Sequence, residues 1–162
     1  MLALVAVIVV AGMIFFFSAQ DGQESSKLSA RVTAFFARLL MPDFDLLTPE
    51  ARNALIERWG LVIRKLAHFS EYALLSVTLV IYLKCAGIIR TRLTLALAAW
   101  VASALYACTD EIHQAFVSDR GPAILDVGID AAGALTGALL ALLLVWLRTR
   151  RRATDDGSGR CA

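Results

Sequence analysis

The chain has 162 residues, of which 59% are hydrophobic and only 19% are charged, and its formal net charge is +2. Soluble domains are about 45–50% apolar and about 25% charged, so a single core of this size cannot bury all of these apolar side chains. The composition therefore excludes a soluble enzyme and indicates a membrane protein. The small net charge, without a stripe of basic residues, also argues against nucleic acid as a partner.

The first predicted element is an uncharged apolar segment over residues 2–19, about long enough to cross a hydrocarbon core of about 30 Å. Its end, Ser18-Ala19-Gln20, loosely resembles a signal-peptide cleavage site. However, the segment lacks a basic start, and its apolar stretch exceeds the ~7–15 residues usual in signal peptides. We therefore expect it to be retained as a spanning helix.

Two amphipathic helices are predicted next. Apolar residues recur at three- and four-residue spacing along about residues 24–40, which indicates a helix that lies in the membrane interface. They are Leu28, Val32, Phe35, Phe36 and Leu39. A second, shorter helix over about residues 49–59 begins at Thr48-Pro49-Glu50, where a capping hydroxyl precedes proline and an acid, and Gly60 is expected to end it.

Three further spans are predicted over about residues 61–83, 93–116 and 122–147. The predicted fold class is therefore all-α. Residues 1–147 form a single membrane bundle of about four spanning helices with one or two interfacial amphipathic helices. Residues 148–162 are expected to be a tail that is basic and then disordered, and the sequence leaves the oligomeric state open.

The basic residues predict the orientation of the bundle. Lys84, Arg90 and Arg92 lie between the second and third spans, and residues 148–152 carry four arginines directly after the last span. Because such residues favour the cytoplasmic side, we expect both termini in the cytoplasm. The connections at residues 20–60 and 117–121 are then expected to face outward.

Ionisable side chains inside the spans predict a functional site, because each costs about 2.5–3.5 kcal/mol at the bilayer centre. In the predicted orientation, three helices present such residues at one depth near the outer surface, and helical spacing places them on one face of each helix. The candidate catalytic residues are His68, Glu71, Asp110, Glu111, His113, Gln114 and Asp126, and the candidate ligand-binding residues are Arg64, Lys65, Tyr72, Tyr106, Arg120 and Asp130. Below them, Gly133 and Gly137 form a GxxxG pair that predicts close helix packing.

Two blocks of this region resemble the VanZ-like family of bacterial membrane proteins: residues 64–72, RKLAHFSEY, and residues 110–114, DEIHQ. The resemblance continues through Arg120, residues 125–127 and the glycine pair, and covers about residues 16–140. It includes the segment around Ser18, which adds Gln20 to the candidate ligand-binding residues. It implies a bacterial cell-membrane protein whose namesake raises resistance to teicoplanin, a lipoglycopeptide that acts on peptidoglycan precursors outside the membrane.

Three kinds of chemistry fit the candidate residues. The basic ones suit an anionic head group, such as that of a lipid-linked cell-wall precursor or a teicoplanin-like glycopeptide. A histidine beside a carboxylate suits acid–base catalysis on a lipid-linked phosphate or ester, although no serine or cysteine nucleophile lies beside the histidines. A metal ion is the third option, which the nearby cations oppose; its ligands would be His68, Glu71, Asp110 and His113. We expect binding without a cofactor, with membrane lipids as partners and an intramembrane enzyme as the alternative.

Overall fold

The computed structural model describes residues 1–121 and 123–158, with residues 151–158 described by their backbone alone. Five α-helices follow one another along this part of the chain: α1 (Leu2–Ser18), α2 (Gly22–Leu40), α3 (Pro49–Cys85), α4 (Arg92–Gln114) and α5 (Ile124–Ser158). A 3₁₀ turn at Phe44–Leu46 precedes α3. The predicted all-α fold class is confirmed.

Three of these helices are long and apolar enough to cross a membrane, namely α3, α4 and the Ile124–Arg150 part of α5. The other two, α1 and α2, meet at an angle of 107° and together qualify as a fourth, broken span. By itself α1 has 17 residues, which gives it a length of about 25 Å. The chain is therefore a multi-pass membrane protein, with three or four spans among the described residues.

The predicted break at Gly60 is wrong. The helices expected over residues 49–59 and 61–83 are one helix of 37 residues, α3, in which Gly60 is buried. A glycine inside a helix costs only about 1 kcal/mol relative to alanine, which the flanking helical turns can offset. Gly60 faces α2, and a Cβ added to it would make an ordinary contact, 3.9 Å from the hydroxyl oxygen of Thr33.

The predicted end of the last helix is also wrong. Helix α5 continues from Ile124 to Ser158 rather than ending near residue 147. The tail that was expected to be disordered is thus helical as far as Ser158, and its last residues, 159–162, lie outside the described residues. Each residue added to an existing helix gains a backbone hydrogen bond without a new nucleation cost, which favours this extension.

Helix α2 packs its small and polar side chains, rather than its apolar ones, against α3. The buried residues of α2 follow one another at three- and four-residue intervals: Gly22, Ser25, Ser29, Thr33 and Ala37. The apolar stripe faces away, so that Phe35 is 63% exposed and Leu39 is 68% exposed. This orientation leaves the stripe free to contact lipid, as an interfacial helix requires.

Helix α3 lies at the centre of the bundle, in contact with α1, α2, α4 and α5. Its closest approach is to α5. A Cβ added at Gly133 would lie 2.2 Å from the carbonyl oxygen of Phe69, and one added at Gly137 would lie 2.0 Å from that of Ala73. Only glycine fits at these two positions, so the predicted GxxxG contact is confirmed. This crossing places the polar segment of α3 beside that of α5.

Candidate functional site

A cavity of about 170 Å³, here named the central cavity, lies between α3, α4 and α5 beside the loop that joins α4 to α5. Its lining includes eight of the residues predicted from the sequence: Arg64, Lys65, His68, Glu111, Gln114, Arg120, Asp126 and Asp130. Side chains from three helices and one loop thus converge, as the common depth of the polar residues predicted. The volume is large enough for a few small polar groups.

A second cavity of about 160 Å³, here named the α2 cavity, lies between α2, α3 and the end of α1. Two predicted residues, Gln20 and Glu71, line this cavity but not the central one. Arg64 and His68 line both cavities and form the wall between them. A ligand held by Arg64 can therefore extend to either side of α3.

Arg64 and Arg120 lack an ion-pair partner among the described residues. An Nη2 atom of Arg64 donates to the hydroxyl of Ser26 at 2.5 Å, and one of Arg120 donates to the carbonyl oxygen of Phe17 at 3.3 Å. Within the same part of the chain, the buried Nε atoms of both arginines have no hydrogen-bond partner. Burial, followed by the charge of Arg64, lowers the pKa of Arg120, while nearby acids oppose the shift. Two guanidinium groups thus face the central cavity with donors to spare.

Most carboxylates of the central cavity are already engaged. Asp126 pairs with Lys65, with 2.7 Å between Oδ1 and Nζ. Glu111 accepts a hydrogen bond from the backbone N–H of Ala123, just before α5, and Asp119 accepts one from Gln23 at 3.3 Å. Asp130 is 4% exposed, and its Oδ1 has no hydrogen-bond partner among the described residues. It is positioned to receive a hydrogen bond from a ligand hydroxyl.

Asp110 lies outside the lining of both cavities, at the buried contact between α1 and α4. Its Oδ2 accepts hydrogen bonds from the hydroxyl of Ser18 at 2.8 Å and from the amide of Gln114 at 2.9 Å. The same amide lies 2.5 Å from the Ser18 oxygen. Tyr72 is fully buried, and its hydroxyl has no hydrogen-bond partner among the described residues. These contacts hold α1 in place against α4.

Two other candidates of α4 also contact α1 rather than a cavity. The ring of His113 stacks on Phe15 with 4.8 Å between centroids, and the hydroxyl of Tyr106 donates to the carbonyl oxygen of Ala11 at 2.9 Å. This side of α4 therefore packs on α1.

The four residues of the metal-site alternative, His68, Glu71, Asp110 and His113, do not come together in one group. Across the described residues, no three His, Cys, Asp or Glu side chains are grouped so that they could hold an ion. The reason is that His113 packs on α1, whereas His68 and Glu71 face the α2 cavity. The Nδ1 of His68 lies 3.8 Å from Oε2 of Glu71, which is too long for a hydrogen bond.

Comparison with known proteins identifies the family. The family model for VanZ/LLP1 matches residues 3–145, which is nearly the whole chain. The chain belongs to the VanZ/LLP1 family. The match confirms the resemblance that the RKLAHFSEY and DEIHQ blocks carried, and it includes every residue that lines the two cavities. No curated protein and no solved structure matches the chain.

Three contact residues of this VanZ/LLP1 chain were not among the candidates predicted from its sequence: Ser18, Ser26 and Asp119. Ser18 bonds to Asp110, Ser26 accepts from Arg64, and Asp119 accepts from Gln23. A signal was available for Ser18, which is the single hydroxyl in an otherwise apolar segment. No comparable signal marks Ser26 or Asp119, since both lie in polar segments where such residues are common.

Proposed function

We propose that this VanZ/LLP1 protein acts in the cell envelope by binding the anionic head group of a membrane-anchored ligand in its central cavity. The observation that supports this is the pair Arg64 and Arg120, two guanidinium groups on one cavity without a carboxylate partner among the described residues. A partly buried charge without a partner is costly, so a ligand that supplies the opposite charge gains affinity. Guanidinium groups match phosphate oxygens in pairs, which favours a phosphate group.

The ligand that fits best is a lipid-linked phosphate, such as a cell-wall precursor. It already resides in the bilayer, where the helices that line the cavity are spanning segments. A teicoplanin-like glycopeptide would also offer an anionic group, and resistance to such a drug would then follow from direct capture. Both ligands would bind through the same two arginines.

Substituting either arginine is expected to weaken phosphate-lipid binding at least about tenfold, because hydrogen bonds to charged groups contribute about 1.5–3 kcal/mol. The variants are Arg64→Gln and Arg120→Gln. The matched control is Lys65→Gln, since Lys65 lines the same cavity but is already paired with Asp126. The measurement is a native mass-spectrometry titration of the purified protein with phosphatidic acid, compared with phosphatidylcholine. Equal affinity for the two lipids, or equal losses in all three variants, would contradict the proposal.

A second candidate function is hydrolysis of the bound phosphate or ester by His68 and Glu71. It is favoured by the position of His68 on both cavities and by its 3.8 Å distance from Glu71. Such contacts are often long without substrate and shorten when it binds. In the same titration, catalysis would appear as a bound lipid that has lost the mass of its phosphate.

We further propose that both termini are cytoplasmic and that the central cavity opens on the outer side, as the basic residues of the connections favour. Cys85, exposed at the end of α3, then lies inside, and Ser118, exposed beside the cavity, lies outside. In intact cells, a membrane-impermeant maleimide should label a variant whose single cysteine is Ser118→Cys. The same maleimide should label a variant whose single cysteine is Cys85 only after the membrane has been permeabilised. The opposite labelling pattern would reverse the topology.

A further inference from the structure

We infer that a groove between α2 and α3 holds the hydrocarbon chain of the lipid whose head group is bound by Arg64, an inference that rests on the proposed function. This groove, here named the apolar groove, has a volume of about 430 Å³. Its lining is apolar apart from Thr33, and includes Phe36, Leu40, Leu55, Trp59 and Ile63. The hydroxyl of Thr33 already donates to the carbonyl oxygen of Ser29. The groove therefore offers little to a polar ligand and suits a hydrocarbon.

The apolar groove continues into the polar site. Ile63 lines both the apolar groove and the α2 cavity, and the next residue, Arg64, lines both the α2 cavity and the central cavity. From Arg64 to Leu55 the path follows nine residues of α3, or about 13 Å along the helix axis. A molecule with an anionic end and an apolar end matches this order of linings.

The opposite side of the α2–α3 contact is chemically different. A cavity of about 440 Å³ lies there, lined by Asn53, Glu57 and Arg64 together with Ile56 and the small residues of α2. A hydrocarbon chain in that cavity would bury a carboxylate and an amide, which is costly. The chain is therefore assigned to the side that contains Leu55 and Trp59, and the contrast between neighbouring residues Leu55 and Ile56 provides a matched pair for a test.

The test is photo-crosslinking of the full chain in phosphatidylcholine nanodiscs. One probe is phosphatidic acid with a diazirine near the end of one chain, and the control probe is phosphatidylcholine with the same diazirine at the same mole fraction. Mass spectrometry should find that the phosphate probe labels Leu40, Leu55 and Trp59 at least about fivefold more than the control probe does. A fivefold ratio corresponds to a binding preference of about 1 kcal/mol for phosphatidic acid over phosphatidylcholine. The exposed α5 residues Leu139 and Leu143 should be labelled equally by both probes.

Two variants locate the hydrocarbon chain of the lipid. Leu55→Trp fills the apolar groove and should abolish the excess labelling, whereas Ile56→Trp fills the opposite cavity and should preserve it. Loss in Ile56→Trp with persistence in Leu55→Trp would place the chain on the opposite side and overturn the inference. A groove labelled by neither probe would show that another occupant, such as a protein partner or a second copy, covers it, and would also overturn the inference.

The outcomes separate this inference from the proposed function. An excess of phosphate-probe labelling at other surfaces, with none in the apolar groove, would refute the chain site and leave head-group binding intact. Equal labelling by the two probes over the whole protein would show no preference for phosphate and would refute both.

Discussion

Gly137→Ala is expected to lower the free energy of unfolding by about 3 kcal/mol, the upper part of the usual range for overpacking. The added methyl group would lie 2.0 Å from the carbonyl oxygen of Ala73, and backbone atoms cannot move aside as a flexible side chain would. Gly133→Ala should behave similarly, because its Cβ would lie 2.2 Å from the carbonyl oxygen of Phe69. Unfolding in mixed micelles by graded addition of sodium dodecyl sulfate, followed by circular dichroism, measures the change.

The matched control for these variants is Gly128→Ala, made on the same helix. No heavy atom lies within 4 Å of a Cβ added at Gly128. Because alanine favours a helix over glycine by about 1 kcal/mol, this variant should be neutral or slightly more stable. If all three variants unfolded at the same detergent fraction, the close crossing of α3 and α5 would be refuted. Gly137→Ala should also lose phosphatidic acid binding, since the same crossing sets α3, which carries Arg64, against α5 across the central cavity.

Asp110→Ala is expected to lower the free energy of unfolding by about 3 kcal/mol, because a buried donor and a half-buried donor lose their acceptor. These donors are the hydroxyl of Ser18 and the amide of Gln114, which come from α1 and α4. Ser18→Ala should cost less, about 1 kcal/mol, because Asp110 keeps its hydrogen bond from Gln114. The same detergent titration measures both.

A double-mutant cycle distinguishes this contact from a general effect of the two substitutions. The double variant that carries both Ser18→Ala and Asp110→Ala should lose less free energy of unfolding than the two single variants lose in total. The difference should be about 1 kcal/mol or more. The control is Thr109→Ala, because Thr109 is exposed and its hydroxyl donates to the carbonyl oxygen of Tyr106 in the same helix. It should change stability by no more than about 0.5 kcal/mol. Strict additivity of Ser18→Ala and Asp110→Ala would show that their hydrogen bond contributes nothing.

The sequence was sufficient for the features that depend on neighbours along the chain. Long apolar segments predicted the spans, and the GxxxG pair predicted the close crossing of helices, because length and small-residue spacing are local properties. The polar faces of α3 and α5 were also predictable, since residues three or four apart share one side of a helix.

The partner of each side chain was not predictable in the same way. In a helix of 3.6 residues per turn, Asp110 and His113 point about 60° apart. Both therefore lie on the side of α4 that meets α1, where Asp110 bonds to Ser18 and His113 stacks on Phe15, and the sequence does not show which helix that side meets. The neighbours Arg64 and Lys65 point about 100° apart, and only the packing of α3 against α5 shows that Lys65 is the one paired with Asp126. Gly60 was misread because a glycine, which often follows the end of a helix, can also lie inside one.

The most direct measurement of the central claim is an experimental structure of the protein in nanodiscs that contain phosphatidic acid. We predict a phosphate group in the central cavity, with its oxygens about 2.7–2.9 Å from guanidinium nitrogens of both Arg64 and Arg120. A central cavity without a phosphate group, with both arginines turned to carboxylates of the protein, would contradict the proposed function.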